Sequence, residues 1–439
     1  MNKEPSTKTV TVDYVTRVEG KAALSLSCSG ETITDVQLRI FEPPRLFESI
    51  LKGRSWTEAP DMTARICGIC PVAYQISAAQ AMENLAKITI PKQSQSVRRL
   101  LMCGEWIVSH TIHIYLLHAP DFLGFANAIE MAKHYPEQMK RGLALKEVGN
   151  EILTTLGGRS VHPVNLIVGG VCRLPSIEEL TKLKKRLESA VDLARETLSW
   201  VSSFSFPDFT EEYIFVSLSR PKSYPLTDGN LVTNREWVLD ERSFGSVILE
   251  EQLSYSTALA STIGPSHERY LTGPMARFAL NGQFLPESIL TAIKENSIPQ
   301  PCCNPFRSIQ VRALEVWFAC SEALLIVEEL RREIQNRSGE KSPELKTRAG
   351  TGLGITEAPR GVLFQQYDVD EDGIITNCSI IPPTAQNQKQ IEKSILYFLN
   401  HSKCGNDEEL RECAEKIIRS FDPCISCATH FLSLEVQRL

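Results

Sequence analysis

The chain has 439 residues, of which 42% are hydrophobic and 23% charged, a composition typical of globular proteins. Its net charge is −6 and it has no long basic or acidic run, which argues against nucleic acid or an anionic membrane as a partner. No apolar run reaches membrane-spanning length and the first residues lack the apolar core of a signal peptide, so neither a membrane span nor a leader is predicted.

The 13 cysteines are odd in number and irregularly spaced, which is not the pattern of a secreted disulfide framework. A cytoplasmic location is therefore favoured. Nine cysteines show no spacing typical of metal ligands. These nine are predicted to be buried free thiols: Cys28, Cys103, Cys172, Cys302, Cys303, Cys320, Cys378, Cys404 and Cys413.

The N-terminal region, 8–45, alternates apolar and polar residues, which predicts a small antiparallel sheet with a turn at Ser29 and Gly30. The pattern becomes helical over 46–204, where a helical core is expected. A Ser-x-x-Glu capping box at Ser176 indicates the start of one long helix. Helices are expected at 72–86, at 96–118, twice within 123–156, and from Ser176 to about Ser203.

Residues 205–270 mix Pro, Ser, Thr and aromatic residues, which predicts short strands and loops on a surface excursion. Over 271–430 the helical pattern returns, interrupted by an alternating hairpin at 362–381. Further helices are expected at 286–296, 306–337, 386–400 and 407–419. The chain is predicted to be one domain, 1–439, of mainly α class, with many helices around a buried metal site and small antiparallel β pieces at its margins.

The tip of the predicted hairpin matches the start of a calcium-binding EF-hand loop, with Asp368, Asp370 and Asp372 before Gly373. That loop needs a bidentate acid at its twelfth position, where this chain has Ser379. The flanking residues also have a strand pattern rather than a helical one. A solvated hairpin tip is therefore expected, without calcium.

Two C-x-x-C pairs stand near opposite ends of the chain: Cys67 with Cys70, and Cys424 with Cys427. Thiolates are soft ligands that suit zinc, copper(I), iron–sulfur clusters and other soft metals. A structural zinc site usually gathers its ligands within a few tens of residues. The two pairs therefore predict one buried metal site that closes the fold, although a zinc-stapled structural protein stays an alternative.

The neighbours of these pairs resemble a known family. Arg65-Ile-Cys67-Gly-Ile-Cys70-Pro and Asp422-Pro-Cys424-Ile-Ser-Cys427-Ala-Thr-His430 are similar to the two signature motifs of the large, catalytic subunit of [NiFe]-hydrogenases. Five further blocks agree in order, so the resemblance covers about residues 10 to 430. These blocks are Thr16–Gly20, Phe47–Arg54, Gly158–Pro163, Glu357–Gly361 and Ile380–Asn387.

The resemblance implies a nickel ion held by all four cysteines. Cys67 and Cys424 would be terminal ligands, whereas Cys70 and Cys427 would bridge nickel to an iron that carries CO and cyanide. The implied reaction is the reversible, heterolytic cleavage of H2 to protons and electrons. The alternatives within the same fold are a hydrogen-sensing regulator and a metal-free relative in respiratory complex I, which lacks the four cysteines.

The family also implies roles for residues around the metals. The sulfur of Cys424 would be the first base and Glu19 the proton-relay carboxylate beside it. Arg360 would lie over the open metal position, Pro359 would wall the cyanide pocket, and Asp422 would pair with Arg360.

A second cation, Mg2+ or Fe2+, is implied as well. Glu48, the carbonyl of Ile380 and His430 would be its ligands. In the family, the peptide after this histidine is removed by a nickel-dependent maturation endopeptidase, so 431–439 is a possible cleavable extension.

Two positions depart from the commoner family pattern: Tyr74 stands where many members have His, and Ser109 where many have Asp. The tyrosine could donate a hydrogen bond to a bridging sulfur, and the serine would weaken the carboxylate cage around Arg360. Both favour the cytosolic, NAD(P)- or F420-linked branch, which includes sulfhydrogenase-type enzymes. Three histidines of one helix are expected to pack in the core rather than bind metal: His110, His113 and His118.

No second iron–sulfur spacing, G-x-G-x-x-G motif or P-loop occurs in the chain, so electrons must leave through a partner. The resemblance implies a small subunit with Fe–S clusters and, in the cytosolic branch, diaphorase subunits with flavin and Fe–S clusters. NAD(P)+ or another soluble compound would be the final acceptor. The maturation endopeptidase and nickel chaperones would be transient partners.

Overall fold

The protein is described by a computed structural model that covers residues 7–235, 247–264, 266–336, 343–402, 404 and 406–429. About 52% of the chain is helical, and within these ranges the strands form five small antiparallel sheets. The predicted class, mainly α with small antiparallel β pieces, is confirmed. The division of the chain into one domain stays a prediction.

The predicted N-terminal sheet consists of Thr7–Val12 (β1), Ala22–Ser29 (β2) and Thr32–Ile40 (β3), in that order. Every second side chain of β2 is buried, because successive residues of a strand point to opposite faces. The helix Pro383–His401 packs on β3 and shares a hydrophobic cluster with this sheet. This layer joins the N-terminal strands to the C-terminal part of the chain.

The first half of the chain is helical, as predicted, and the capping box of Ser176 forms at the start of the longest helix in this half. The helices of this half are Phe47–Leu51 (α1), Ala59–Thr63 (α2), Pro71–Ala86 (α3), Lys92–Ile112 (α4), Ala119–Leu123 (α5), Ala128–His134 (α6), Pro136–Gly157 (α7) and Ile177–Ser202 (α8). Two short strands, Leu166–Ile167 (β4) and Gly170–Val171 (β5), pair between α7 and α8.

A single π-helical turn, His113–His118, connects α4 to α5. The whole stretch Lys92–Leu123 is long and apolar enough to cross a membrane by length and composition, which the sequence analysis did not predict. However, 83% of its most apolar window is buried inside the protein. It is therefore a core helix of this fold.

The second half contains the short strands predicted over 205–270 and a smaller set of helices. These strands are Val216–Ser219 (β6), Asn230–Thr233 (β7), Ile248–Gln252 (β8) and Leu259–Ile263 (β9). The expected surface excursion is not found, because Val216, Leu218 and Ile263 are buried in a hydrophobic cluster with residues such as Val362 and Phe364. The helices are Pro274–Asn281 (α9), Glu287–Glu295 (α10), Ser308–Gln335 (α11), Pro383–His401 (α12), Asp407–Phe421 (α13) and Ile425–Ala428 (α14).

The predicted hairpin, Gly361–Val369 (β11) with Ile375–Ile381 (β12), has a third strand that the sequence analysis missed, Gly350–Ala358 (β10). β10 contains several glycines, which are rare in strands, so its sequence gives a weak strand signal. The packing explains them: a Cβ at Gly354 would lie 1.9 Å from the carbonyl oxygen of Ser77 on α3. Glycine lets α3 press directly against the strand.

The longest helices form the centre of the molecule. α11 packs against α4 and α8, and α4 also packs against α7. All four cysteines of the two C-x-x-C pairs belong to the large hydrophobic cluster that these helices share with α3. The predicted metal site therefore lies in the core.

None of the 13 cysteines forms a disulfide, and the nine isolated ones are free, as predicted. Their expected burial is only partly confirmed. Cys172 is exposed, and Cys303, Cys404 and Cys413 are half-buried, whereas the other five isolated cysteines are buried.

Candidate metal centre

The first cysteine pair lies at the start of a helix. Cys70 is the residue before α3, and Cys67 is three residues earlier. The backbone N–H groups of Ile69 and Cys70 point at the Cys67 sulfur, with N–S distances of 3.3 and 3.2 Å. Free N–H groups and the positive end of a helix favour a thiolate over a thiol.

A buried carboxylate caps the same helix. Glu105 of α4 accepts hydrogen bonds from the backbone N–H groups of Val72 at 2.6 Å and Ala73 at 3.2 Å, two of the amides that a helix start leaves unpaired. Its burial raises the pKa of this carboxyl well above the usual value. The sequence analysis did not single out Glu105, although an acid within a buried apolar helix was a visible signal.

The second pair follows the C-terminus of α13. Asp422 ends that helix in the left-handed conformation, with φ of 53°, and turns the chain toward Cys424. The backbone N–H of Cys424 donates to the hydroxyl of Thr384 at 2.9 Å. Cys427 lies within the short helix α14. The backbone of Cys424 is therefore held by Thr384, 40 residues away, and not by the start of a long helix as in the first pair.

The four sulfur atoms converge. Cys67 and Cys424 are 3.6 Å apart, as are Cys70 and Cys427, and Cys424 and Cys427 are 2.7 Å apart. All four sulfurs lie within 4.8 Å of one another and all four residues are buried. Four converging thiols are a donor set for soft or borderline metal ions, so the residues fit nickel and iron.

Burial and the neighbouring sulfurs shift the pKa values of the cysteines in different directions. Burial raises the pKa of Cys424 well above the usual value. Burial opposes the ionisation of Cys67 too, but hydrogen bonds with the other three sulfurs and then the charge of Arg360 hold its pKa well below the usual range.

Glu19 lies directly against the second pair. Its Oε2 atom accepts a hydrogen bond from the Cys424 thiol at 3.1 Å and another from the backbone N–H of Ser426 at 3.0 Å. The backbone carbonyl of Glu19 accepts from the N–H of Ile425 at 3.0 Å, within a short parallel bridge between Glu19 and Cys424. The carboxylate is thus fixed beside a ligand sulfur from both its backbone and its side chain.

Arg360 is buried and faces the cysteines. Its Nε donates to the Asp422 carbonyl at 2.7 Å, and its Nη2 donates to the Asp422 carboxylate at 3.0 Å. Its Nη1 donates to the hydroxyl of Ser109 at 3.1 Å. Burial opposes the charge, but Asp422 and then the cysteines raise the pKa of the guanidinium well above its usual value. The predicted pair with Asp422 is present, and Ser109 provides a neutral acceptor.

Tyr74, on α3, is buried near the sulfurs. Burial and then the charges of the cysteines raise the pKa of its phenol well above the usual value. The hydroxyl makes no hydrogen bond within the described structure. The sequence analysis allowed a hydrogen bond to a bridging sulfur, and the structure does not contain it.

The second predicted cation site is described only in part. The Glu48 carboxylate accepts a hydrogen bond from the backbone N–H of Ile380 at 2.7 Å, so these two predicted ligands are neighbours. Burial raises the pKa of Glu48 to about 7, which the bond from Ile380 partly offsets. The third predicted ligand, His430, and the possible extension 431–439 lie outside the described residues.

The three histidines of the α4 region have protein partners, as expected for core residues. Nε2 of His110 lies 2.9 Å from the Glu315 carboxylate. Nε2 of His113 lies 2.7 Å from the carbonyl oxygen of Arg419, and Nε2 of His118 lies 3.2 Å from the hydroxyl of Ser420. None of the three belongs to the four-residue group that could hold a metal.

Comparison with known proteins agrees with this geometry. The family model described as nickel-dependent hydrogenase matches residues 45–144 and 292–430. The chain is 32% identical to the alpha chain of sulfhydrogenase 2 of Pyrococcus furiosus, over 97% of this chain and 100% of that protein. It is 29% identical to one subunit of the F420-non-reducing hydrogenase of Methanothermobacter marburgensis, over 98% of this chain and 96% of that protein. A crystal structure of an NAD+-reducing [NiFe]-hydrogenase in the H2-reduced state matches 97% of this chain and 100% of its own, with a TM-score of 0.86 and 26% identity.

Proposed function

This chain belongs to the nickel-dependent hydrogenase family and is the catalytic subunit of a hydrogenase. We propose that the reaction H2 ⇌ 2H+ + 2e− takes place at its four-cysteine centre. One observation carries the assignment of this centre: four buried sulfurs lie within 4.8 Å of one another, beside a carboxylate and a guanidinium. The reaction needs a metal site, a base for the proton and a fixed charge near the substrate. These three requirements are met by different residues.

The cysteines would hold nickel and iron. Their four sulfurs lie within 4.8 Å of one another, so Cys67, Cys70, Cys424 and Cys427 would together hold both metals, the iron carrying CO and cyanide. The bound metals supply an electron-rich site at which H2 is split heterolytically and its electrons are taken up. The helix start at Cys70 and the backbone N–H groups at Cys67 stabilise the anionic sulfurs that such ligation requires.

The proton leaves through Cys424 and Glu19. As a metal ligand, Cys424 would be a thiolate, so its sulfur would accept the proton first and then donate it to the Glu19 carboxylate, whose Oε2 lies 3.1 Å away. That distance lies within the reach of direct proton transfer. The N–H of Ser426 holds the Glu19 carboxylate in place, and the Ser426 hydroxyl donates to a further carboxylate, Glu42, at 3.1 Å.

Arg360 provides the fixed positive charge over the metals. Its buried bonds with Asp422 and Ser109 leave the guanidinium little freedom, so its charge is oriented before substrate arrives. Pro359, the residue before it, would wall the cyanide pocket. Asp422 would stabilise the charge of Arg360 and, through its two hydrogen bonds, keep the guanidinium in one orientation.

A hard cation, Mg2+ or Fe2+, would bind at Glu48, the Ile380 carbonyl and His430. The half-buried Glu48 supplies a carboxylate oxygen, the ligand type that such cations prefer. A cation there would offset the cost of burying this carboxylate, and would tie the chain after α14 to β12.

The chain works with a partner subunit that carries Fe–S clusters, since its relatives are subunits of multi-subunit hydrogenases. We infer diaphorase subunits with flavin and Fe–S clusters as further partners, because one relative is named as part of an NAD-reducing hydrogenase. Nickel chaperones and a maturation endopeptidase acting on 431–439 would complete assembly. The 13 free thiols favour the reducing cytoplasm as its location.

Metal analysis of the purified complex tests this function. We expect nickel at one ion per chain and infrared bands from CO and cyanide on iron, together with H2/D+ exchange. Zinc at the same stoichiometry, without such bands and without exchange, would show that the site is structural.

A further inference from the structure

Arg277 of α9 is fully buried and is hydrogen-bonded to the segment that carries Arg360. Its Nε and Nη2 donate to the two carboxylate oxygens of Glu315 at 2.7 and 2.8 Å. Its Nη1 donates to the Glu357 carboxylate at 2.8 Å. Nη1 and Nη2 also donate to the carbonyls of Ala358 at 3.0 Å and Pro359 at 2.9 Å. All five N–H groups of this guanidinium are therefore used.

The two carbonyls bring this network to the metal centre. The carbonyl of Pro359 belongs to the peptide unit whose nitrogen is that of Arg360, and a peptide unit is planar. The hydrogen bond from Arg277 to that carbonyl therefore fixes the orientation of the Pro359–Arg360 peptide plane, and with it the direction in which the Arg360 side chain leaves the backbone. We propose that Arg277 is a positioning residue for the reaction, which aims Arg360 and the Pro359 wall at the metals. This inference rests on the function proposed above.

A second contact supports the other side of Arg360. Gly273, with φ of +108°, packs so closely on Arg360 that a Cβ there would lie 2.5 Å from the Arg360 carbonyl oxygen. On the next residue, Gly361, a Cβ would lie 2.5 Å from the side chain of Thr272. The hydroxyl of Thr272 accepts a hydrogen bond from the N–H of Val362 at 2.8 Å. The stretch from Thr272 to Arg277 thus holds the backbone on both sides of Arg360.

The partners of Arg277 are themselves fixed. Glu315 also accepts a hydrogen bond from the hydroxyl of Tyr224 at 2.8 Å, and Nε2 of His110 lies 2.9 Å from it. Glu357 also accepts from the backbone N–H of Leu218 at 2.7 Å. The guanidinium lies over the ring of Trp106, 4.2 Å from its centroid, and the indole N–H donates to the Glu357 carbonyl. A planar, five-donor group fits these acceptors, and a lysine with three donors on a flexible stem does not.

The chain offers a matched control. Arg98 of α4 is buried with Glu83 in a two-bond ion pair at 2.9 and 2.6 Å, and it also donates to the carbonyls of Ile167 and Gly170. Glu83 lies about 20 Å along α3 from Cys70, at the rise of an α-helix. Arg98 therefore has the same chemistry as Arg277, but its ion-pair partner lies toward the end of α3 that is remote from Cys70.

The experiment compares Arg277→Lys with Arg98→Lys in the assembled enzyme. Nickel content, melting temperature, infrared cyanide bands and H2/D+ exchange are measured for each. For Arg277→Lys we expect retained nickel, shifted cyanide bands and exchange lowered by about 10- to 100-fold, the scale of a misplacement near 1 Å. For Arg98→Lys we expect a lower melting temperature with unchanged bands and exchange. A lower melting temperature for Arg277→Lys with wild-type bands and exchange would show that Arg277 is only structural.

A milder variant keeps the test decisive if Arg277→Lys does not fold. Glu357→Gln keeps the shape of the side chain and an acceptor oxygen, and removes the charge that faces Arg277. Shifted cyanide bands at a near wild-type melting temperature support the positioning role, and unmoved bands contradict it. A wild-type enzyme that holds zinc and shows no cyanide bands would overturn the proposed function as well, so the two failures are distinguishable.

Discussion

The two cysteine pairs reach the same point by different means. Cys67 and Cys70 stand at the start of α3, where backbone N–H groups of the same turn point at the Cys67 sulfur and Glu105 caps the first turn of the helix. Cys424 and Cys427 stand after the end of α13, where the contacts come from distant segments. The first pair is fixed by a helix terminus, and the second by tertiary contacts.

The second pair is also the one that touches the groups proposed for catalysis. Glu19 bonds to Cys424, and the Asp422 that binds Arg360 is two residues before it. Arg45 donates to the carbonyls of Ile66, beside the first pair, and of Ser426, within the second, and so ties the two pairs together. We therefore expect the first pair to act mainly as metal ligands, and the second pair to take part in the proton and charge chemistry as well. Four predictions test this division.

The largest effect is expected when a cysteine ligand is replaced, and the loss of nickel should be the same for either pair. Cys67→Ser and Cys424→Ser each replace a soft sulfur by a hard oxygen, so both should lose nickel and fall to the exchange level of metal-free protein. Metal analysis and H2/D+ exchange measure this. Cys320→Ser, at a buried thiol of α11 outside the group, should keep both. Full nickel content in either ligand variant would contradict the four-sulfur site.

The second effect concerns the proton path and should be confined to the second pair. Glu19→Gln keeps the shape of the side chain but cannot accept a proton, so exchange should fall by roughly 10²- to 10⁴-fold while nickel stays bound. Glu415→Gln is the control, because Glu415 also accepts a hydrogen bond from the N-terminal loop, at Thr16, without touching a cysteine. Wild-type exchange in Glu19→Gln would remove this residue from the path.

The third effect separates the tertiary contact that holds the second pair, at Thr384, from the helix cap beside the first pair, at Glu105. Thr384→Val removes the acceptor of the Cys424 N–H and should weaken nickel retention by about 10- to 100-fold, as for other groups that orient metal ligands. Glu105→Gln alters the cap of α3 and should lower stability by about 0.5–2 kcal/mol, with little change in exchange. Chelator competition and thermal unfolding distinguish these results. A larger loss of exchange in Glu105→Gln than in Thr384→Val would contradict the proposed difference between the two cysteine pairs.

The smallest effect is a pH dependence of stability that arises from α12, the helix that contains Thr384. Glu392 of α12 accepts hydrogen bonds from the N–H of Leu38 at 2.9 Å and from the hydroxyl of Tyr255 at 3.0 Å. Burial raises the pKa of Glu392 from 4.5 to about 7. The folded state therefore binds this proton more tightly than the unfolded state, and the stability it contributes is lost as pH rises from 4.5 through 7.

Glu392→Gln cannot ionise. Its melting temperature should therefore decline less than that of the wild type between about pH 5 and about pH 8, measured on metal-free protein. Glu408→Gln, at an exposed position of the neighbouring helix α13, should decline in parallel with the wild type. Parallel declines for Glu392→Gln as well would show that this carboxyl does not titrate over that range.

Much of the metal centre followed from the sequence because thiols at C-x-x-C spacing are a local pattern with few chemical uses. One such pair is weak evidence, but two pairs with their neighbouring residues indicated a soft-metal site, and the long periodic helices were also predicted from the sequence. The sequence did not reveal β10, because its glycines are selected by contact with α3 and weaken the strand pattern. The burial of Cys172 was also predicted wrongly, since composition does not say which side of a turn faces solvent.

The sequence by itself thus determined the donor atoms, the helical class and the resemblance to the hydrogenases. Only the tertiary structure decided what surrounds the donors. Glu105, Arg277 and Thr384 owe their positions to partners far away in the chain. A buried charge or polar group must meet its acceptors in three dimensions, whatever its distance in sequence. The spacing therefore identifies the four donor sulfurs, whereas only the packed core decides where they meet and how Arg360 is oriented beside them.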